Sequence, residues 1–246
     1  CFSRVADAIG ILNRGDTLYL LAEEVEEMFD EERLPAGVTI VRKYPQAVGD
    51  VVKVEGGGTV LQAGLDALAA DPAMFALEVA PGRYAPVKIP AGLDGKVVYG
   101  TDAASCIIDG SLAHEASRCV ESQSAVILSN LTLRAGSAAG DGGGVKGAKL
   151  VIDCIIENCT ATGAGGGVSG VDAVIASLFE GNAAANGAAA ANSALKSCTL
   201  VSNTGGATVA GGSVEHSVFV DNASVDGAGN LATNMDFFAA GTRQPT

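Results

Sequence analysis

Tryptophan is absent from this 246-residue chain, and aromatic residues of every kind make up only 4% of it. Ordinary globular cores lean on large rings because each buries so much apolar surface. A chain without them has to fill a narrow interior with Val, Ile, Leu, Ala and small polar residues. Cations are scarce as well: 15 Lys and Arg stand against 28 Asp and Glu, for a net charge of -13. Nucleic-acid binding needs clustered Lys and Arg, so that class is excluded, and the same charge repels anionic membranes. No apolar run approaches the roughly 18 residues of a membrane-crossing helix, so no membrane span is expected. The two histidines, His114 and His216, stand apart from each other and from any Cys or Asp at ligand spacing. No metal site is expected from them. The glycine-rich stretches do not open helices, which argues against a phosphate cradle and leaves no cofactor to expect.

What the chain does have is self-similarity. Leu128, Val151, Val174, Leu195 and Val214 recur at spacings of 23, 23, 21 and 19 residues. The same spacings align Leu131, Cys154, Ser177, Cys198 and Ser217. They also align Leu133, Ile156, Phe179, Leu200 and Phe219, and then Gly136, Cys159, Asn182, Asn203 and Asn222. Repetition at this period is the mark of a solenoid, in which each repeat stacks on the next. Like residues on like residues is what a coil of short parallel strands produces. The Leu-Asn signature of leucine-rich repeats and the long apolar faces of helical repeats are both missing from 128–222. Asn182, Asn203 and Asn222 read as turn residues, since Asn tolerates left-handed backbone and can bond the Asn of the next coil. Gly142-Gly143-Gly144-Val145 recurs as Gly165-Gly166-Gly167-Val168, with Ala188 to Ala191 in the next equivalent place. Small residues stacked there permit a sharp bend between close backbones.

The organisation reads as a partial N-terminal unit over 1–50 and a fuller one over 51–246. The first has a helix pattern at about 2–12, a strand at Thr17 to Leu21, an acidic stretch from Glu23 to Glu32, and Val38 to Val41. The second repeats the order. Val60, Leu61, Leu65 and Leu68 mark an amphipathic helix at about 60–70, followed by a strand at Phe75 to Val79. A turn at Pro81-Gly82-Arg83-Tyr84 and a strand at Lys96 to Tyr99 come next. Leu34-Pro35-Ala36-Gly37 and Ile89-Pro90-Ala91-Gly92 match across the two units. The stretch Gly49 to Gly58 is the expected boundary. Helices at the start of such a coil would shield its open strand edge and apolar interior. Residues 96–240 supply roughly six or seven coils, a rod of roughly 30 Å. The chain opens at Cys1 without Met, and Phe2 to Ile9 runs straight into a helix-like pattern. A cut from a longer protein is therefore expected over a lipidated first residue.

The six cysteines do not read as a disulfide framework. Cys154 and Cys198 share a ladder with Ser177 between them, so they lie two coils, about 10 Å, apart, too far to bridge. Cys154, Cys159 and Cys198 are expected as small buried thiols. Cys106 and Cys119 are the one pair left open.

Four features together carry a resemblance: Pro81-Gly82-Arg83-Tyr84, Ile107-Ile108-Asp109-Gly110, the Gly-Gly-Gly-Val turns, and Cys198-Thr199-Leu200-Val201-Ser202-Asn203. The chain resembles the right-handed parallel β-helix superfamily that includes pectate lyases and many bacterial surface and secreted proteins. The resemblance covers about 75–240, and 1–50 loosely. It implies an all-β fold, a right-handed parallel β-helix with short amphipathic capping helices, and leaves the activity open, because enzymes and adhesins share this grammar.

An enzyme would show itself in what the strands project outward. If Leu131 and Leu133 point in, the outward stripes are Thr132, Ile155, Leu178, Thr199, Val218 and Arg134, Glu157, Glu180, Val201, Val220. Glycoside hydrolysis needs two carboxyls about 5–9.5 Å apart, and Glu157 and Glu180, one coil apart, are the catalytic candidates. No ring or histidine stands beside them to hold a sugar. Arg134 is the one base on that face, and Lys146, Lys149 and Lys196 are read at turns. Ile155, Leu178, Val201, Val218 and Val220 form an expected apolar contact strip. The chain's own C-terminal residues Met235, Phe237 and Phe238 are the expected cover. The expectation is an extracellular or cell-surface bacterial β-helix with a structural, adhesive or binding role and no catalytic site. A polysaccharide or another surface protein is the expected partner. The alternative is a carbohydrate-active enzyme or glycan-binding module whose active residues lie in stretches the repeat does not place, such as 110–124.

Overall fold

The computed structural model describes residues 51–223 throughout, and beyond them the backbone of strands Thr17–Leu20, Thr39–Arg42, Leu231–Thr233 and Asp236–Phe238. The N-terminal helix reading at 2–12 and the acidic stretch at 23–32 lie outside the described residues. The strands Thr17–Leu20 and Thr39–Arg42 pair in parallel as a two-stranded sheet of their own.

The remainder is a parallel β-solenoid of about seven coils. All four ladders read from the sequence are present in register. Leu128 pairs Val151, which pairs Val174, then Leu195, then Val214. Leu133 continues through Ile156, Phe179, Leu200 and Phe219. Every member of both columns is buried. At about 4.8 Å per coil the stack is roughly 34 Å long.

Each full coil has four faces. Face I holds Ile127–Ser129, Ala194–Lys196 and Ser213–Glu215. Face II holds Thr132–Arg134, Ile155–Glu157, Leu178–Glu180, Thr199–Val201 and Val218–Val220. Face III holds Ser137–Ala138, Thr160–Ala164, Ala183–Asn186 and Thr204–Gly205. Face IV holds Val120–Ser122, Ala190–Ala191 and Val209–Ala210. The long strands Val145–Ile152 and Val168–Ile175 run through faces IV and I, bending at Gly147 and Gly170.

The corners are single left-handed residues, and this corrects the reading of the asparagine ladder. Between faces I and II the corner column is Asn130, Asp153, Ala176, Ser197 and His216. Five residues later, between faces II and III, it is Ala135, Asn158, Gly181, Ser202 and Asp221. All have φ between 48° and 64°. Asn182, Asn203 and Asn222 come one residue after the corner and do not take positive φ. Asn182 and Asn203 are buried, because the residue after a sharp corner points into the coil. Gly143, by contrast, is needed where the sequence placed it. A Cβ there would collide with the carbonyl oxygens of Thr160 and Gly166.

Helix α1, Val60–Ala70, closes the N-terminal end of the coil, packing on strands Val51–Val54, Ala76–Val79 and Val87–Ile89. Leu61, Leu65 and Leu68 join the interior core. The expected face differs at one place: Val60 is 42% exposed, and Gly64 is buried instead. A Cβ on Gly64 would strike Val54 and Leu77, so glycine sets how closely the helix approaches the strands. Two further readings are corrected. Gly82–Tyr84 is a strand paired with Cys106–Ile108, with Tyr84 buried and its hydroxyl donating to Ala80 O at 2.8 Å. The expected boundary at 49–58 contains the strand Val51–Val54, whose branched residues pair with Ala76–Val79. The turn is confined to Gly56, Gly57 and Gly58, all at positive φ.

Candidate functional site

The interior is unreactive by construction. Asn182 Oδ1 accepts from Cys159 N at 3.0 Å, Asn203 Oδ1 from Asn182 N at 3.0 Å, and Asn222 Oδ1 from Asn203 N at 3.0 Å. The parallel column bonds Cys154 N to Ser177 Oγ at 3.2 Å and Cys198 N to Ser217 Oγ at 3.0 Å. No buried side-chain oxygen or nitrogen among the described residues lacks a hydrogen-bond partner. Cys106, Cys119, Cys154, Cys159 and Cys198 are free and buried. Cys106 donates to Val79 O and Cys119 to Arg134 O, so the two thiols left open by the sequence are not paired.

Chemistry must therefore lie on the outer faces. On face II the column Asp109, Arg134, Glu157, Glu180, Val201, Val220 runs in register. Glu157 and Glu180 are indeed one coil apart, about 4.8 Å along the stack. Glu157 stands 3.7 Å from Arg134, while Glu180 is exposed. Arg134 in turn donates to Asp109 at 2.9 Å, and Arg83 donates to the same oxygen at 2.6 Å. Ser111 N and Oγ bond the other oxygen of Asp109 at 2.9 and 2.6 Å. Asp109 is 1% exposed. Burial alone would raise its pKa; the bonds from Ser111, Arg83 and Arg134 together outweigh that and hold the carboxyl well below the usual range. Asp109 is a tie for two guanidinium groups. Thr132, read as outward, is buried, and its hydroxyl donates to Ala103 O at 2.7 Å.

The strip residues Ile155, Leu178, Val201, Val218 and Val220 are all half-buried. Phe237 and Phe238 do not run across them, and Met235 lies outside the described residues. Asp236–Phe238 continues face II by one coil, with Phe237 in register with Phe219 and Phe238 with Val220. A strand that can extend the ladder satisfies its backbone bonds there, which a segment laid over the strip would not.

The second outer feature is an open groove of about 840 Å³ with mixed polar and apolar walls. It lies where face III begins, alongside Ser137–Ala138, the end strand of its four-stranded sheet. Gln62 of α1, Lys88, Ser117, Arg118, Glu121 and Ser137 supply its polar walls. Gln62 is fixed in place, its Nε2 donating to Lys88 O and its Oε1 accepting from Lys88 N, both at 2.9 Å. Arg118 is held by Asp141 O at 2.9 Å and by Glu121 at 3.4 Å. No ion pair joins the Lys88 ammonium to a described residue.

Part of this groove comes from the 110–124 stretch that the sequence left unassigned. Arg83, Asp109, Lys88 and Gln62 were missed because loops interrupt the period before residue 128, so ladder counting stops there. Lys146, Lys149 and Lys196, read at turns, all lie in strands; Lys196 is 4.0 Å from Glu215. Among the described residues no three His, Cys, Asp or Glu gather as a metal set, and no helix is long and apolar enough to cross a membrane.

Fold and faces together define a parallel β-helix. No family model, curated protein or solved structure matches the chain.

Proposed function

We propose that the chain is an extracellular or cell-surface β-helix, bacterial in character, that serves as a rigid scaffold and binds a polysaccharide in the groove beside Ser137. The observation that carries this reading is the groove's lining: hydroxyl, amide, ammonium, guanidinium and carboxylate groups, with Gln62 and Arg118 held by hydrogen bonds to the backbone. Polyols are recognised by such convergent donors and acceptors on a preformed surface. Hydrolysis uses two carboxyls, and the lining carries one, Glu121, already engaged by Arg118. That supports binding over cleavage. The test is titration of neutral and acidic oligosaccharides into the protein and into Lys88→Ala and Glu121→Gln, with products analysed for new reducing or unsaturated ends. Binding weakened tenfold or more by these changes supports the reading. Binding unaffected by them, binding of surface proteins alone, or cleavage would each refute it.

A second reading rests on the register of Glu157 and Glu180, whose spacing suits a pair of glycosidase carboxyls. Cleavage abolished by Glu157→Gln or Glu180→Gln would establish it in place of the first.

A further inference from the structure

The outward side of face I carries an apolar field, beside a row that begins with the ion-paired Lys53 and Glu78. Outward of the Leu128 column, Ala76, Val97, Ile127 and Leu150 form a cluster separate from the interior core. They belong to one register row that starts at Val51 and ends at Ala173, six successive strands. Beyond it the row turns small and polar, with Ala194 then Ser213, and the row beside it passes from Ile152 and Ile175 to Lys196 and Glu215. The field is bounded, and it lies at the N-terminal end of the coil.

Its burial is the decisive observation. Ile127 is 0% exposed, Leu150 1%, Ala76 1% and Val97 4%. Face II offers an internal comparison. Ile155, Leu178 and Val218 are also outward, apolar and stacked in register, yet all remain half-buried. Stacking within a sheet therefore leaves such side chains partly in water, and face I needs an added layer to remove them from it. An uncovered apolar field of this extent would also be uncommon on a soluble chain.

We propose that this field is the seat of the chain's own first fifty residues. The chain enters the coil at Val51, the first member of the buried row, so residues 1–50 arrive at its edge. Their sequence supplies a matching surface. Phe2, Val5, Ile9 and Leu12 recur at helical spacing, with Ser3, Arg4 and Asp7 between them. Six strands span about 24 Å, and an eleven-residue helix is about 16 Å long, so the stripe fits within the field. The N-terminal unit is then a side layer of the β-helix. This inference is independent of the groove and of what it binds.

The experiment uses the full chain. A photo-crosslinking residue, p-benzoylphenylalanine, replaces Ile152 or Ile175 at the margin of the field, with replacement of the exposed Thr160 as control. After irradiation the adducts are mapped by peptide mass spectrometry. Adducts from 152 and 175 falling mostly within residues 1–50 of the same chain, and few from 160, are expected. Adducts to residues 224–246, covalent dimers, or no adducts would overturn the proposal. In a second measurement Val5→Lys/Ile9→Lys should raise hydrophobic-dye binding several-fold while far-UV circular dichroism of the coil is retained. An unchanged dye signal counts against it.

Discussion

Ser202 and Asn203 are neighbours with opposite duties, and substituting each in turn tests the corner geometry directly. Ser202 sits exposed at the left-handed corner with φ 53°. A left-handed residue with a side chain is disfavoured by about 1–2 kcal/mol, against roughly 0.5–1 kcal/mol of extra chain entropy lost by glycine. Ser202→Gly should therefore leave stability within about 1 kcal/mol of the parent, on the stabilising side. Asn203 is buried and holds two coils at once. Its Oδ1 accepts from Asn182 N and Nδ2, and its Nδ2 reaches Phe179 O, Val201 O and Asn222 Oδ1. In Asn203→Ala the backbone N–H of Asn182 is stranded in the core, whereas the Asn182 amide keeps Ile156 O and Val201 O keeps Gly181 N. One orphaned donor at about 1–3 kcal/mol plus two or three lost bonds at about 1 kcal/mol each gives roughly 3–6 kcal/mol. Urea denaturation followed by far-UV circular dichroism, with amide exchange at Asn182, measures both variants. If Asn203→Ala loses under about 1 kcal/mol while Ser202→Gly loses more than about 2, the corner has been assigned to the wrong residue.

Phe179→Ala should cost about 3–5 kcal/mol, since Phe179 is fully buried between Ile156 and Leu200 in the face II column; a loss below about 1 kcal/mol in the same urea assay would contradict the packing. Asp109 is an acid-side determinant. Its folded pKa lies below the unfolded value, so its contribution is present above about pH 4 and is lost as the pH falls toward the folded pKa. Asp109→Asn should therefore flatten the acid limb of stability against pH, and an unchanged limb would show that the ties to Arg83 and Arg134 add nothing. The buried thiols should resist an aromatic disulfide reagent until denaturant is added. Burial pushes Cys154 up to about 12 and Cys198 up to about 11, and the bond to the Cys159 thiol together with burial raises Cys119. Rapid native labelling of any of them would place that coil differently.

The legible part of this protein was the part where the period holds. From Leu128 onward every coil repeats the two corners that flank face II, so a residue and its counterpart one repeat away share an environment. The ladders could be counted without coordinates. Between Ala80 and Ser124 loops of unequal length interrupt the count. There the site-forming residues, Arg83 with Asp109 and Gln62 with Lys88, meet across 26 residues each with no repeat to announce them.

Sequence alone determined the parallel coil, its inward columns, the helix over its first strands and the buried state of Cys154, Cys159 and Cys198, because each follows from spacing, side-chain size or polarity. It also placed Glu157 beside Glu180, since register is a counting problem once the period is known. Three things belonged to tertiary structure alone. Which of two adjacent residues turns the corner was decided by backbone φ, which both Ser202 and Asn203 are able to adopt in principle. The fate of Phe237 and Phe238 was decided by the open ladder at the end of face II, where backbone bonds outweigh side-chain cover. The burial of Ile127 and Leu150 on the outside of face I belongs to the assembled structure, because an alternating pattern cannot reveal a second buried face.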